Sequence, residues 1–357
     1  MGSSGGPSWF RISLKARASF FEKSRMDFPD IFFNSMGRLR SGWRFSIFVV
    51  LYLLFGIMVG GAVRVLFQMA LGSAADAFFR SNLGWIVQGL ILFTTAAVVG
   101  WICLRLLEDL PWRALGWAFH RGWLRDLLTG SLVGSLSLVL AAAIATAFGG
   151  FRFAFVAGGM FAAVLQTLLI SALIFILAAA AEEVLFRGYP LQTMTRAHLA
   201  WLGIALTSVP FALVHLDNPH AVPGFTFINT VLAGLWLGVA YLRTRSLWLP
   251  LGVHWAWNWT MGAILGLPVS GIESLTPAPL LRAVATGPHW LTGGSYGIEG
   301  GAACTIALLV STIFIWRTRL VNATAEMKQL TEQENPKPGP QTFQIYESKS
   351  IEDDPSM

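Results

Sequence analysis

Polar side chains interrupt three of the most apolar stretches of the sequence, and within each stretch they repeat at helical spacing. The three groups are Glu182 with Glu183 and Arg187, Phe211 with His215, and His254 with Asn258. Ionisable residues are costly at membrane depth, so they usually mark a functional interior or a water-filled cavity. A carboxylate, imidazoles and an amide can together hydrolyse a carbonyl compound, because a base activates water and hydrogen-bond donors stabilise the oxyanion.

The first group places two carboxylates side by side at the end of an apolar stretch. Neighbouring residues on a helix point about 100° apart, so Glu182 and Glu183 cannot share one role. Glu183 and Arg187 are four residues apart and can form an ion pair along one helix face. Glu182 then faces elsewhere and is free to act as a base. The alternative is a polar helix end at the membrane interface, with both glutamates solvated.

The other two groups each place two side chains on one helix face. Phe211 and His215 lie one turn apart, and so do His254 and Asn258, which present two hydrogen-bond donors to one point. For His215, the simpler interpretation is a buried histidine whose hydrogen bonds are made within the core. For His254 and Asn258, it is a polar contact that holds membrane helices together.

The composition predicts that helices in a membrane position these groups. Of the 357 residues, 55% are hydrophobic and 12% are charged, whereas soluble domains carry about 25% charged residues. The apolar residues form blocks of roughly 20, the length that crosses a bilayer. We therefore predict an all-α polytopic membrane bundle of about eight transmembrane helices, with a polar active site inside the membrane. The predicted spans are 43–67, 85–107, 124–147, 158–181, 200–216, 224–242, 247–266 and 300–316.

The distribution of basic residues predicts the orientation of the spans. All 25 Lys and Arg residues fall on one side of them except Arg64, Arg80, Arg152 and Arg282. By the positive-inside rule, the N- and C-termini are cytoplasmic. The same distribution argues against a nucleic-acid partner, although the net charge is +6. The predicted divisions are a basic cytoplasmic N-terminal segment (1–42), a transmembrane domain (43–320) and a disordered cytoplasmic tail (321–357).

Taken together, the three groups read EExxxR, FxxxH and HxxxN, in that order. With these motifs, residues from about 80 to 265 resemble the CPBP (CAAX protease/bacteriocin-processing, Abi) family of intramembrane glutamic endopeptidases. The resemblance implies hydrolysis of a CAAX-type C-terminal tail or another membrane-associated peptide, with a peptide or lipidated protein as substrate and the bilayer as surroundings. It also implies a bacterial cytoplasmic membrane as the location.

The roles of individual residues follow from the same resemblance. Glu182 and His215 would activate the water, and His254 and Asn258 would form the oxyanion hole. Supporting positions would be Glu183, Arg187 and Phe211.

Two alternatives to this reading remain open at the level of sequence. Glu182, His215 and His254 could instead ligate zinc in an intramembrane metalloprotease that uses the same residues. No HExxH motif is present and Asn is a poor zinc ligand, so we favour an enzyme without a metal or other cofactor. The second alternative is a non-catalytic membrane scaffold or bacteriocin-immunity protein. The glycine-rich run at 293–301 has no predicted role, and the sequence does not predict the oligomeric state.

Overall fold

A computed structural model describes residues 28–155 and 160–332 of the protein. Contacts divide the chain into two units, one formed by Leu39–Glu334 and the other by Met1–Arg38 with Asn335–Met357. The described part of the second unit contains one short helix, α1 (Phe28–Phe32). Most of the predicted basic N-terminal segment therefore lies outside the described residues.

Helices make up most of the Leu39–Glu334 unit. They are α2 (Ser41–Leu71), α3 (Ala75–Phe79), α4 (Asn82–Glu108), α5 (Trp123–Ala147), α6 (Phe161–Phe186), α7 (Tyr189–Arg196), α8 (Ala200–Val214), α9 (Phe225–Thr244), α10 (Trp248–Trp259), α11 (His289–Thr292), α12 (Ala302–Arg317) and α13 (Ala325–Thr331). Short 3-10 turns occupy Gly72–Ala74, Trp112–Leu115, His215–Asp217, Gly294–Tyr296 and Ile298–Gly300, and a π-helical turn at Thr260–Ile264 continues α10.

Within residues 28–155 and 160–332, six helical stretches are long and apolar enough to cross a membrane. They are Ser41–Phe79, Asn82–Glu108, Trp123–Ala147, Phe161–Arg196, Ala200–Asp217 and Phe225–Thr244. The shorter apolar helix α12 and the helix formed by α10 with its π turn coincide with the remaining two predicted spans. Large apolar side chains such as Ile57 and Leu106 lie on the outer surface, where lipid rather than water suits them. The prediction of an all-α polytopic membrane bundle is confirmed.

Helix α10 packs against α5 with almost no space between the two backbones. A Cβ atom added to Gly134 would lie 2.1 Å from the carbonyl oxygen of Val253, and one added to Gly130 would lie 2.3 Å from that of Leu249. Small residues at this spacing allow membrane helices to approach closely. The contact fixes the helix that carries the HxxxN motif.

Two tryptophans attach the opposite side of α10 to α6. Nε1 of Trp255 donates to the carbonyl oxygen of Ala172 at 3.1 Å, and Nε1 of Trp259 donates to that of Leu168 at 3.0 Å. The two indole rings stack with their centroids 5.8 Å apart. Helix α10 is therefore held between α5 and α6, and α6 carries the EExxxR motif.

Helix α6 runs further than the sequence predicts. The predicted span ends at 181, but the helix continues to Phe186 and, after a short break, the chain restarts as α7 with Pro190 in its first turn. All eight residues of α7 are buried. Glu182 and Glu183 thus lie within a continuous helix. Glu183 is fully buried, so the alternative in which both glutamates are solvated is wrong.

Buried ion pairs anchor α7 to the rest of the bundle. Arg196 donates to both carboxylate oxygens of Glu108, from Nε at 2.6 Å and from Nη2 at 3.1 Å. Arg44 lies 3.0 Å from the same carboxylate. Buried charges are tolerated when they are paired in this way. The cluster joins the start of α2 and the end of α4 to the end of α7.

Residues 265–301, which we name the cap segment, connect α10 and its π turn to α12. Strand β2 (Leu281–Ala285) of this segment pairs antiparallel with β1 (Phe151–Phe155), with Phe151 opposite Ala285. Neither strand is predicted from the sequence. They tie the cap segment to the end of α5, which lies only a few residues before β1.

Part of the predicted disordered tail is a helix. Helix α13 lies within the region predicted to be disordered, with Met327 and Thr331 buried and an ion pair between Glu326 and Arg113. The prediction of disorder is therefore wrong for α13, and residues from 333 onward lie outside the described residues.

Candidate active site

Glu183 and Arg187, at the end of α6, form the ion pair that their spacing predicts. Nη1 of Arg187 donates to Oε1 of Glu183 at 3.2 Å, and Nη2 donates to the carbonyl oxygen of Gly234 on α9 at 3.1 Å. The guanidinium carbon also lies 4.7 Å from the centre of the Phe211 ring. Both charged side chains are fully buried.

Glu183 has a second partner that sequence reasoning missed. Its Oε1 atom lies 2.8 Å from Nδ1 of His254 on α10. A carboxylate oxygen can only accept, so this geometry assigns a proton to Nδ1 of His254. The pair spans two helices and fixes the orientation of the imidazole ring, whose Nε2 atom points away from Glu183.

Glu182 points towards the other side of the same imidazole. Its Oε2 atom lies 3.6 Å from Nε2 of His254, and its side chain is 33% exposed while that of Glu183 is 0% exposed. Oε2 accepts no hydrogen bond from any described residue. Oε2 of Glu183 likewise has no partner among the described residues, so the two carboxylates differ in position: Glu183 is fully buried, whereas Glu182 lines the cavity described below.

His215 begins the 3-10 turn that follows α8. Its Nδ1 atom lies 2.7 Å from the carbonyl oxygen of Phe211, one turn earlier. A carbonyl oxygen only accepts, so Nδ1 carries the proton and Nε2 of the neutral ring keeps a lone pair. The Phe211 ring packs against His215 with centroids 4.5 Å apart and lies edge-on to His254 at 6.1 Å.

A cavity of about 270 Å³ brings these side chains together. Five of the seven predicted site residues line it, namely Glu182, Phe211, His215, His254 and Asn258. The other two, Glu183 and Arg187, lie behind its wall. Apolar side chains of α4, α6, α9 and α12 complete much of the lining. The four proposed catalytic groups therefore share one partly polar cavity inside an apolar bundle.

The cavity also contains polar residues that the sequence analysis did not single out. They are Asn218, Asn229, Thr230, Ser270 and Glu299. Glu299 belongs to the glycine-rich run, and it accepts a hydrogen bond from Nε1 of Trp257 at 3.0 Å. The available signal was the single carboxylate within that run, but nothing in the local pattern connects it to α10.

The residues present do not fit a metal site. Among the described residues, no three His, Cys, Asp or Glu side chains are grouped so that they could hold a metal ion, and this includes Glu182, His215 and His254. The alternative zinc ligand set is therefore not assembled in this geometry. The Nδ1 hydrogen bonds of His215 and His254 do not bear on this point, because histidines that ligate zinc usually donate their other ring nitrogen in the same way.

The site falls within a region that matches a known family. Residues 164–260 match the sequence model of the family described as "Rce1-like: Type II CAAX prenyl endopeptidase Rce1-like". The match includes all three motifs and confirms the predicted resemblance, since this is the CPBP (Abi) family. Neither a curated protein nor a solved structure matches the chain. Residues 164–260 of the chain are therefore similar to the Rce1-like type II CAAX prenyl endopeptidases.

Proposed function

We propose that the protein is an intramembrane endopeptidase that hydrolyses a peptide bond in a CAAX-type C-terminal tail or in another membrane-associated peptide. The observation that carries the proposal is that Glu182, His215, His254 and Asn258 line one cavity within the apolar bundle. The family match supports the same general activity.

Glu182 and His215 activate the attacking water in this proposal. Oε2 of Glu182 has no protein donor, and Nε2 of His215 keeps its lone pair, so both can accept a proton from one water molecule. The water oxygen bonds to the carbonyl carbon of the scissile peptide, and its proton passes to one of these acceptors. The same proton then moves to the leaving amine as the carbon–nitrogen bond breaks.

His254 and Asn258 stabilise the negative charge on the carbonyl oxygen. The side-chain amide of Asn258 is a donor, and the protonated imidazole of His254 donates from Nε2 into the cavity while Nδ1 remains bonded to Glu183. Oriented donors in a site shielded from water stabilise an oxyanion strongly because they need not reorganise during the reaction. Glu183 and Arg187 position His254 rather than touch the substrate.

Peptide cleavage by the purified protein in liposomes tests this function. The substrates are a prenylated C-terminal CAAX peptide and its unprenylated counterpart, and mass spectrometry identifies the cleaved bond. We expect cleavage by the wild type and a loss of at least about 1000-fold in the Glu182→Gln variant. Asp76→Asn, which removes a carboxylate of an exposed surface pair, serves as the matched control.

The outcomes separate the competing functions. Equal cleavage by wild type and Glu182→Gln would show that the assigned base is wrong. Absence of cleavage of every peptide by the wild type would favour the non-catalytic scaffold. A chelator added to the wild type tests for a metal, and we expect the rate to remain unchanged.

We also propose that the protein lies in a bacterial cytoplasmic membrane with both termini in the cytoplasm. The position of the Lys and Arg residues on one side of the spans supports the orientation, and the family resemblance supports the bacterial location. A reporter that is active only in the cytoplasm, fused to the C-terminus, should be active. If the reporter is inactive at the C-terminus and active when it is inserted after α5, the proposed orientation is wrong.

A further inference from the structure

The cap segment inserts a carboxylate, that of Glu299, into the proposed catalytic cavity. Oε1 of Glu299 accepts from Nε1 of Trp257 at 3.0 Å. Oε2 accepts from the backbone nitrogen of Ser270 at 2.8 Å and from its hydroxyl at 2.9 Å. Trp257 precedes Asn258 on α10, so Glu299 is held directly beside the helix that carries the proposed oxyanion donors.

The glycine-rich run gives the backbone of Glu299 a fixed position. Gly293 has a φ of +78°, and a Cβ atom there would lie 1.8 Å from the carbonyl oxygen of Gly297, so the turn requires glycine. Nδ2 of Asn229 on α9 donates to the carbonyl oxygens of Glu299 at 2.7 Å and Gly301 at 2.9 Å. The hydroxyl of Thr305 donates to Oδ1 of Asn229 at 2.6 Å. The glycine-rich run thus holds Glu299 at the wall of the cavity.

Glu299 has neutral partners only. Three donors surround its carboxylate, and no Lys, Arg or His among the described residues forms an ion pair with it. Burial raises the pKa of the nearby Tyr296 hydroxyl, and the charge of Glu299 adds to that rise. Glu299 is half-buried and has no cationic partner, so a cation that enters the cavity would be attracted to it. Charges removed from water are stabilised by such pairing.

We propose that Glu299 forms an anionic subsite that binds a lysine or arginine side chain of the substrate close to the scissile bond. The inference rests on the proposed endopeptidase function. A cavity of about 270 Å³ accommodates only a few side chains, so a cation at Glu299 belongs to a residue near the bond that Glu182 hydrolyses. Glu299 would then select substrates, while the three motifs carry out the reaction.

A peptide series tests this subsite through cleavage. Each peptide is N-acetylated and otherwise free of cations, and one lysine, or norleucine in its place, is moved through the positions that flank the cleaved bond. We expect the wild type to prefer one lysine peptide over its norleucine counterpart by about tenfold or more in kcat/KM, as for a hydrogen bond to a charged group. Glu299→Gln should bring this ratio close to one, whereas Glu273→Gln, in the exposed part of the cap segment, should keep it.

A binding measurement separates failure of the subsite from failure of the enzyme. The Glu182→Gln variant is titrated with the same peptides, with and without Glu299→Gln. The subsite is supported if a lysine peptide binds more tightly than its norleucine counterpart and if this difference disappears in Glu299→Gln. This result supports the subsite even if the wild type cleaves no peptide and the endopeptidase proposal has failed. Equal binding and equal cleavage of lysine and norleucine peptides at every position by the protein with Glu299 intact would overturn the subsite. That comparison requires no substitution at Glu299, so it stands even where Glu299→Gln does not fold.

Discussion

Glu183 on α6 and Nδ1 of His254 on α10 lie 2.8 Å apart, although 71 residues separate them in the chain. The same carboxylate oxygen accepts from Arg187. The neighbouring Glu182 lies on the cavity side of the imidazole, 3.6 Å from Nε2. The two adjacent carboxylates thus have different environments, one orienting the imidazole from behind and the other facing the cavity.

Glu183→Gln should lower kcat while leaving KM largely unchanged, and it should also destabilise the fold by about 3–5 kcal/mol because it leaves the buried Arg187 without its anion. Glutamine keeps the volume of the side chain but removes the charge that orients His254. Loss of a partner that orients a functional imidazole typically costs about 10- to 100-fold in activity. Steady-state kinetics on a cleaved peptide, with Glu273→Gln as the control, measure the effect. An unchanged kcat would show that Glu183 does not position His254 for the reaction.

Arg187→Leu should destabilise the protein by about 3–5 kcal/mol, because it leaves the buried Glu183 without its cation. Arg64→Leu provides a matched control, since Arg64 pairs with Asp76 at an exposed position, where such pairs contribute less than about 1 kcal/mol. Unfolding monitored in detergent micelles compares the two variants. Similar losses of stability in both would contradict the assigned role of the buried pair.

Asn258→Ala should reduce kcat by about 100- to 1000-fold, the usual effect of removing one oxyanion donor. The substrate should bind with nearly the same KM, because the donor acts mainly in the transition state. Asn322→Ala removes an exposed amide and should leave the rate unchanged. A large rise in KM without a change in kcat would instead identify Asn258 as a residue that binds the ground state.

Gly134→Ala should lower the stability of the bundle by about 1–3 kcal/mol, the usual effect of overpacking. The added methyl group would lie 2.1 Å from the carbonyl oxygen of Val253 and push α10 away from α5. Gly60→Ala is the control, because no atom lies within 4 Å of its added Cβ. Thermal unfolding should show a lower Tm for Gly134→Ala alone. Equal Tm values would mean that the two helices do not pack as closely as described.

The helices could be predicted from the sequence because their signal is local. Long apolar blocks predict a helix at each of the eight spans, six of which are long and apolar enough to cross a membrane, and helical spacing predicts the ion pair of Glu183 with Arg187. The end of α6 was misplaced, since two glutamates after a run of alanines resemble a polar helix end. Only the packed bundle shows that Glu183 is buried and that Glu182 faces the cavity.

The contacts that complete the site could not be predicted, because they join distant parts of the chain. His254 meets Glu183 only after α6 and α10 have packed. Glu299 lies in the cap segment, whose sequence shows no helical spacing of apolar residues. It reaches the cavity through the turn at Gly293, which requires glycine. The pairing of β1 with β2 also joins two five-residue segments that more than 100 residues separate. Such contacts depend on the tertiary fold and leave no periodic pattern.

The central claim is that Glu182 and His215 act on one water molecule, and a double-mutant cycle tests it most directly. Values of kcat/KM are measured for the wild type, Glu182→Gln, His215→Gln and the double variant. Residues that act as a unit show strongly non-additive losses. We expect each single substitution to cost at least about 100-fold and the double variant to be no more than about tenfold slower than the worse single variant. Multiplicative losses, or a wild-type rate in either single variant, would contradict the account.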